Sequence, residues 1–266
     1  MNVEKAVEFI RSTGSMFEQA RLNHILGMEY DRDEVIKGFA TIQNPDGGFP
    51  YGDRLGFPSC LSNTTMALQT LIEMGLGATE PALRGIDFLI KSKRKDGTWE
   101  ENPKIKPLDP PLWDIPGDED TTTWLSVAVA DILRRTGNRV PKATLRYLAE
   151  RQEPDGRFRG FHNTTWIALP VFRSRHPGNT TIWSGALRFL ENVDIQDWDA
   201  SSVTWCLDSM KRGGVDRSSP IWTKFVNALS ALQEADGSWP SDGGPSMKVR
   251  DTNSALLVLM DLMECR

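Results

Sequence analysis

Between Trp113 and Trp124 the chain reads WDIPGDEDTTTW, a run that sets carboxylates and threonines between two indoles. Asp118 and Asp120 stand two apart with Glu119 between them, so mutual repulsion can keep one proton in the group, a proton that belongs to the coupled set. Burial against Trp113 and Trp124 would raise the pKa further, and a helix N-terminus would oppose it by about 0.3–1 kcal/mol. Aromatic faces bring a complementary property: they stabilise a desolvated cation by up to about 2 kcal/mol and offer it no easily alkylated lone pair. Nine Trp and eleven Phe against three Tyr suit such a lining, and they suit a plain helical core as well. The chemistry these types can perform is proton delivery in a dry setting. A competing assignment makes Asp120 a helix N-cap, because Asn63, Asn163 and Asp251 hold the matching place before Thr elsewhere.

The elements that must position these groups come from an internal repeat. QNPDGGF at 43–49, KRKDGTW at 93–99, QEPDGRF at 152–158 and QEADGSW at 233–239 share Gln, three residues, Gly, one residue, then Phe or Trp. Lys93 replaces the Gln in the second copy, and DIQDWD at 194–199 is a decayed fifth. A second unit alternates with the first: SNTTMALQTL from 62, EDTTTWLSVAVADIL from 119, HNTTWIAL from 162 and RDTNSALLVLMDL from 250, with SSVTWCLDSM from 201 a weaker member. Each full copy puts Asn or Asp before Thr at the head of an apolar run, the pattern of a capped, buried helix. The segments that end at the glycine turns, such as EPALRGIDFLIKSKR, are apolar on one face only.

Half-buried helices are expected near 2–12, 32–43, 80–92, 140–152, 181–192 and 217–233, and buried ones near 15–26, 62–75, 120–135, 162–174, 201–212 and 250–264. Six of each in alternation predict an all-α (α/α)6 toroid, with an inner ring of helices inside an outer one, filling residues 1–266 as a single domain. A right-handed solenoid of helix pairs is the alternative. In the toroid the inner N-termini encircle one mouth of a central cavity.

Composition narrows the setting. A net charge of −5, with KSKRK at 91–95 the densest basic run, gives no footprint for nucleic acid. Cys60, Cys206 and Cys265 are scattered without metal-ligand spacing, which argues against a disulfide framework or a structural zinc. No stretch approaches the ~18 apolar residues that span a bilayer. The expectation is a cytoplasmic protein of unspecified oligomeric state, with peripheral contact to a membrane surface left open.

The Gln-x-x-x-Gly-x-[Trp/Phe] turns resemble the QW motifs of the prenyltransferase/squalene-cyclase repeat superfamily over roughly residues 43 to 260. Within it DEDTT, Asp118 to Thr122, is similar to the acid motif of single-domain class II terpene cyclases of meroterpenoid pathways. The resemblance implies that Asp120 is the proton donor, that Asp118 is the first aspartate of the motif, and that Thr121 stands where longer members carry another Asp. It implies a lipophilic small-molecule substrate, a diterpene-sized polyprenyl chain or prenylated aromatic, closed into rings through carbocations with no cofactor. Two-domain squalene-type cyclases are longer than this chain. The metal-binding DDxxD is absent, and Cys206, Asp208 and His162 do not reproduce the zinc set of protein prenyltransferases.

Candidate lining residues are Trp124, Trp166 and Trp205 on inner helices, and Trp113, Phe57 and Phe161 from mouth loops, whereas Trp99, Trp239, Phe49 and Phe158 belong to the turns. His162 could bond or reprotonate the acid, or lie idle on the surface. Arg54, Arg159 and Arg173 are candidates for an anionic head group, against the usual exposed arginine. His24 and His176 carry no assignment. The proline-rich loop from Glu100 to Pro116 is expected to form a fixed wall of the mouth. Two other functions stay open: a non-catalytic prenyl-lipid-binding or protein-interaction toroid, and a carbohydrate-active toroid. The latter needs carboxylates about 5–9 Å apart across a cleft, which Asp118 and Asp120 suit poorly.

Overall fold

In the computed structural model, which describes residues 1–174, 176–241 and 243–263, the chain is all-α. Cys265 lies outside the described residues. The helices are α1 (Val3–Thr13), α2 (Met16–Ile25), α3 (Arg32–Ile42), α4 (Leu61–Glu73), α5 (Glu80–Lys91), α6 (Glu119–Arg135), α7 (Lys142–Ala149), α8 (His162–Phe172), α9 (Pro177–Asn192), α10 (Ala200–Arg212), α11 (Pro220–Ala231) and α12 (Pro245–Met263). The strands β1 (Phe49–Pro50) and β2 (Ser59–Cys60) pair antiparallel, and 3-10 turns occupy Tyr51–Asp53, Pro103–Leu108 and Leu112–Asp114. Every helix expected from the repeat is present, and α12 begins earlier than expected. Among the described residues no helix is long and apolar enough to cross a membrane.

The three glycine turns that keep their glutamine are held by the same bonds. The amide of Gln43 donates to the Gly47 carbonyl and to Pro81 O on α5, each at 2.8 Å. Gln152 repeats this with Gly156 O at 2.9 Å and Ile182 O on α9 at 2.8 Å, and Gln233 with Gly237 O at 2.8 Å and Asn2 O at 2.9 Å. The glutamine therefore closes its own turn and ties it to another half-buried helix. The glycine is required twice over: Gly156 has φ +98, and a Cβ there would lie 2.0 Å from Gly185 O.

The threonines of the second repeat have a different task from the one expected. Asn63 is the third residue of α4, Asp120 and Asn163 are the second residues of α6 and α8, and Asp251 lies inside α12, so none of them is an N-cap. The caps of α4, α6 and α8 are Cys60, Asp118 and Phe161, of which only Asp118 bonds through its side chain. The hydroxyls instead receive the backbone N–H of the turn aromatics: Phe49 N to Thr64 Oγ1 at 2.9 Å, Phe158 N to Thr165 Oγ1 at 3.0 Å, and Trp239 N to Thr252 Oγ1 at 3.1 Å. At the second turn Ser126 takes the Trp99 N–H at 3.0 Å. A buried amide that would otherwise lack a partner is thus paired by the next buried helix.

Two compact units account for the chain. Residues 36–189 form one, in which α4 packs on α5 and α6, and α6 packs on α7 and α8. Residues 1–35 and 190–266 form the other, with α12 against α1, α2 and α10. Helix α2 departs from the expected burial: only Arg21 and Leu22 are buried, because MFEQARLNHI has no continuous apolar stripe. It is held by polar contacts, Arg21 donating to Ser254 Oγ at 3.0 Å and Asn253 donating to Glu18 O at 3.1 Å.

Candidate functional site

The acid motif opens α6. Asp118 caps the helix, its Oδ1 accepting the Thr121 N–H at 2.8 Å. Glu119 points the other way and pairs with Arg151 at 2.5 Å, whose guanidinium lies 3.5 Å from the Tyr147 ring centroid. Thr121 is buried, and its hydroxyl donates to Leu112 O at 3.2 Å, joining the turn that carries Trp113 to the helix. Asp120 is exposed and, among the described residues, its carboxyl has no hydrogen-bond or ion-pair partner. One helical turn on, Trp124 shares the face of Asp120; it is buried, and its indole N–H meets no acceptor among the described residues.

The segment before α8 is seated on this end of α6. Gly160 has φ +104, and a Cβ there would lie 3.4 Å from Asp120 O and 3.1 Å from Thr164 Oγ1. That approach brings half-buried Phe161 and exposed His162 to the motif. No hydrogen bond joins His162 to Asp118 or Asp120 among the described residues.

Other candidates disperse. The expected burial of Asp120 between two indoles is not met, since Trp113 is 54% exposed while Trp124 is 5% exposed. The cause is local: on the Leu112–Asp114 turn it is Asp114 that points inward. Phe57 is half-buried with the Arg54 guanidinium 5.7 Å from its ring centroid. Trp166 is buried in α8, and Trp205, half-buried in α10, belongs to the unit of residues 1–35 and 190–266. Arg159 pairs with Glu153 at 2.5 Å, and the Arg173 carbonyl accepts a bond from Arg134 at 2.9 Å. A surface pocket of about 540 Å³ lies at the far ends of α4 and α6, lined by Leu83, Ile86 and Arg135, away from the motif.

Sequence reasoning missed two buried carboxyls. Glu101 accepts the Leu61 N–H at 2.8 Å, the Ser62 N–H at 3.1 Å and the Asn102 N–H at 2.7 Å, so it serves as a distant N-cap for α4. Burial raises its pKa against the lowering effect of those bonds. Asp114 is buried nearby, with one carboxyl oxygen lacking a hydrogen-bond partner among the described residues. Burial pushes it up to about 6, the charge of Glu101 adds to the rise, and the Ser62 hydroxyl works against it. Asp114 lies within the stretch that drew attention first; its position after an exposed Trp and before no helix gave no periodic signal of burial.

No protein-family model matches the chain, and no curated protein matches it. Solved structures do. A variant of the type II terpene cyclase MstE from Scytonema, in complex with merosterolic acid A as product, matches with TM-score 0.66 and 14% identity, covering 99% of this chain and 96% of that one. Another MstE variant, in complex with geranylgeranyl dihydroxybenzoate as substrate, matches with TM-score 0.65 and 14% identity over 99% and 97%. The ent-copalyl diphosphate synthase from Streptomyces platensis matches with TM-score 0.58 and 18% identity, covering 92% of this chain and 50% of that one. The all-α fold of this chain is, over nearly its whole length, the fold of the single-domain type II terpene cyclase.

Proposed function

We propose that the protein is a class II terpene cyclase that converts a polyprenyl chain, most simply one carried on an aromatic acid, into fused rings. The observation that carries this is the division of labour within DEDTT. Asp118 is committed to the helix cap and Glu119 to Arg151, which leaves Asp120 as the motif's unengaged carboxyl, in a chain whose fold matches a cyclase solved with both substrate and product.

An acid that must touch its substrate has to be reachable in the free protein, and Asp120 is. The alkene chain displaces water from around the carboxyl on binding, the dry setting that proton delivery to an alkene requires. The proton passes from Asp120 to the CH carbon of the terminal (CH3)2C=CH unit, the C=C electron pair forms the new C–H bond, and a tertiary cation remains on the dimethyl-substituted carbon. Successive alkene pairs close rings onto that cation, and loss of a proton to a base or water ends the cascade. The product is an isomer of the substrate. Initiation by protonation leaves any diphosphate intact, so no metal-assisted ionisation is required. The Trp124 face and the neighbouring Phe161 are suited to stabilising the cation as it migrates.

The test is incubation with geranylgeranyl dihydroxybenzoate and with free polyprenyl diphosphates, followed by a search for isomers of unchanged mass. A cyclised isomer from the wild type and none from Asp120→Asn supports the assignment. Substrate bound and returned unchanged by the wild type would leave a prenyl-lipid-binding protein instead.

A further inference from the structure

Asp114 is a buried carboxyl that the reaction above does not use. It faces the start of α4, and the groups around it come from every neighbouring element. The loop after the second glycine turn supplies Glu101, the head of α4 supplies Cys60 and Ser62, and the Tyr51–Asp53 turn supplies Tyr51. Helix α6, packed on the same 3-10 turn, contributes Thr121, whose hydroxyl is spent on Leu112 O. Among the described residues no cation lies against Asp114. Burial also raises Cys60 and Tyr51, so the thiol and phenol stay neutral beside the two carboxyls.

The hydrogen-bond supply is too small for two carboxylates. Glu101 takes three backbone N–H groups, and the one Ser62 hydroxyl serves both carboxyls but can give its hydrogen to only one at a time. One oxygen of Asp114 is left buried and, among the described residues, unpaired. A carbonyl oxygen bears that situation at far lower cost than a carboxylate oxygen does.

We propose that Asp114, as the neutral acid, is a positioning residue that seats the Leu112–Gly117 segment on the head of α4 and so fixes the start of α6, and that its ionisation loosens the segment. The catalytic consequence rests on the cyclase reading; the seating itself does not. Because burial and Glu101 hold the carboxyl above its ordinary 3.8, at about 6, the stability it contributes is full below the ordinary value and is lost as pH rises through about 6.

The experiment follows melting temperature and the fluorescence of Trp113, assigned by difference with Trp113→Phe, from about pH 3.5 to about pH 8. The wild type should lose melting temperature as pH rises from the ordinary 3.8 to about 6 and level off above it, while Trp113 becomes more hydrated with a midpoint near 6. Asp114→Asn, a permanently neutral isostere, should remove the transition and hold the low-pH signal throughout. Glu101→Gln, which removes the facing charge, should move the midpoint downward and serves as the second variant should Asp114→Asn fail to fold. A transition unchanged in either variant overturns the proposal. Turnover of geranylgeranyl dihydroxybenzoate should fall over the same range in the wild type and lose that limb in Asp114→Asn. Absence of turnover in every protein, with the fluorescence transition obeying the variants, would overturn the cyclase reading and leave the seating role standing.

Discussion

The three consecutive acids of the motif have three different physical situations, and substitution should separate them. Asp118→Ala removes a capping bond to Thr121 N and should cost about 1 kcal/mol in denaturant unfolding. Asp120→Asn changes an exposed carboxyl that has no hydrogen-bond or ion-pair partner among the described residues, so stability should fall by no more than about 1 kcal/mol while product formation is abolished. Undiminished turnover in that variant would rule Asp120 out as the donor. The motif itself, its residues and its place at a helix start were legible in the sequence because Asp, Thr and an apolar run are strong local signals. The competing reading of Asp120 as the cap falls two residues late, since Asp118 and Asp120 are both good caps and only the backbone decides between them. Asp114 and Glu101 were not legible: each is buried by contact with α4, a segment about forty to fifty residues away, and nothing in the local pattern announces that contact.

At the level of elements, the repeat was readable because its physics is local and strict. A glycine at φ +98 pressed against Gly185 tolerates no side chain, so Gly156→Ala should destabilise by more than about 2 kcal/mol, as judged by melting. Gln43→Ala, which frees two buried carbonyls, should cost about 1–3 kcal/mol. The same substitution at Lys93, where the turn lacks its glutamine, should be nearly neutral, and a loss there equal to that at Gln43 would refute the stapling role. The periodic pairing of turn N–H with a threonine hydroxyl explains why Thr recurs in the buried helices, a pattern that the sequence displayed and that capping does not account for. The low burial of α2 went unforeseen because it was inferred from its place in the alternation, against its own polar composition.

For the whole molecule, the fold extends almost end to end over a cyclase of similar length despite 14% identity. The conserved quantity in such a comparison is the arrangement of helices, which the glycine turns enforce without constraining what lines the interior. The proposed cyclisation therefore hangs on the chemistry of one carboxyl. The most direct measurement is turnover of geranylgeranyl dihydroxybenzoate in heavy water by the wild type and Asp120→Asn, with products read by mass and by deuterium position. A cyclised isomer carrying solvent deuterium on the ring methylene next to the dimethyl-substituted carbon, made by the wild type and not by the variant, is the predicted result. Equal product from both proteins, or a product without carbon-bound deuterium at that position, would contradict protonation by Asp120.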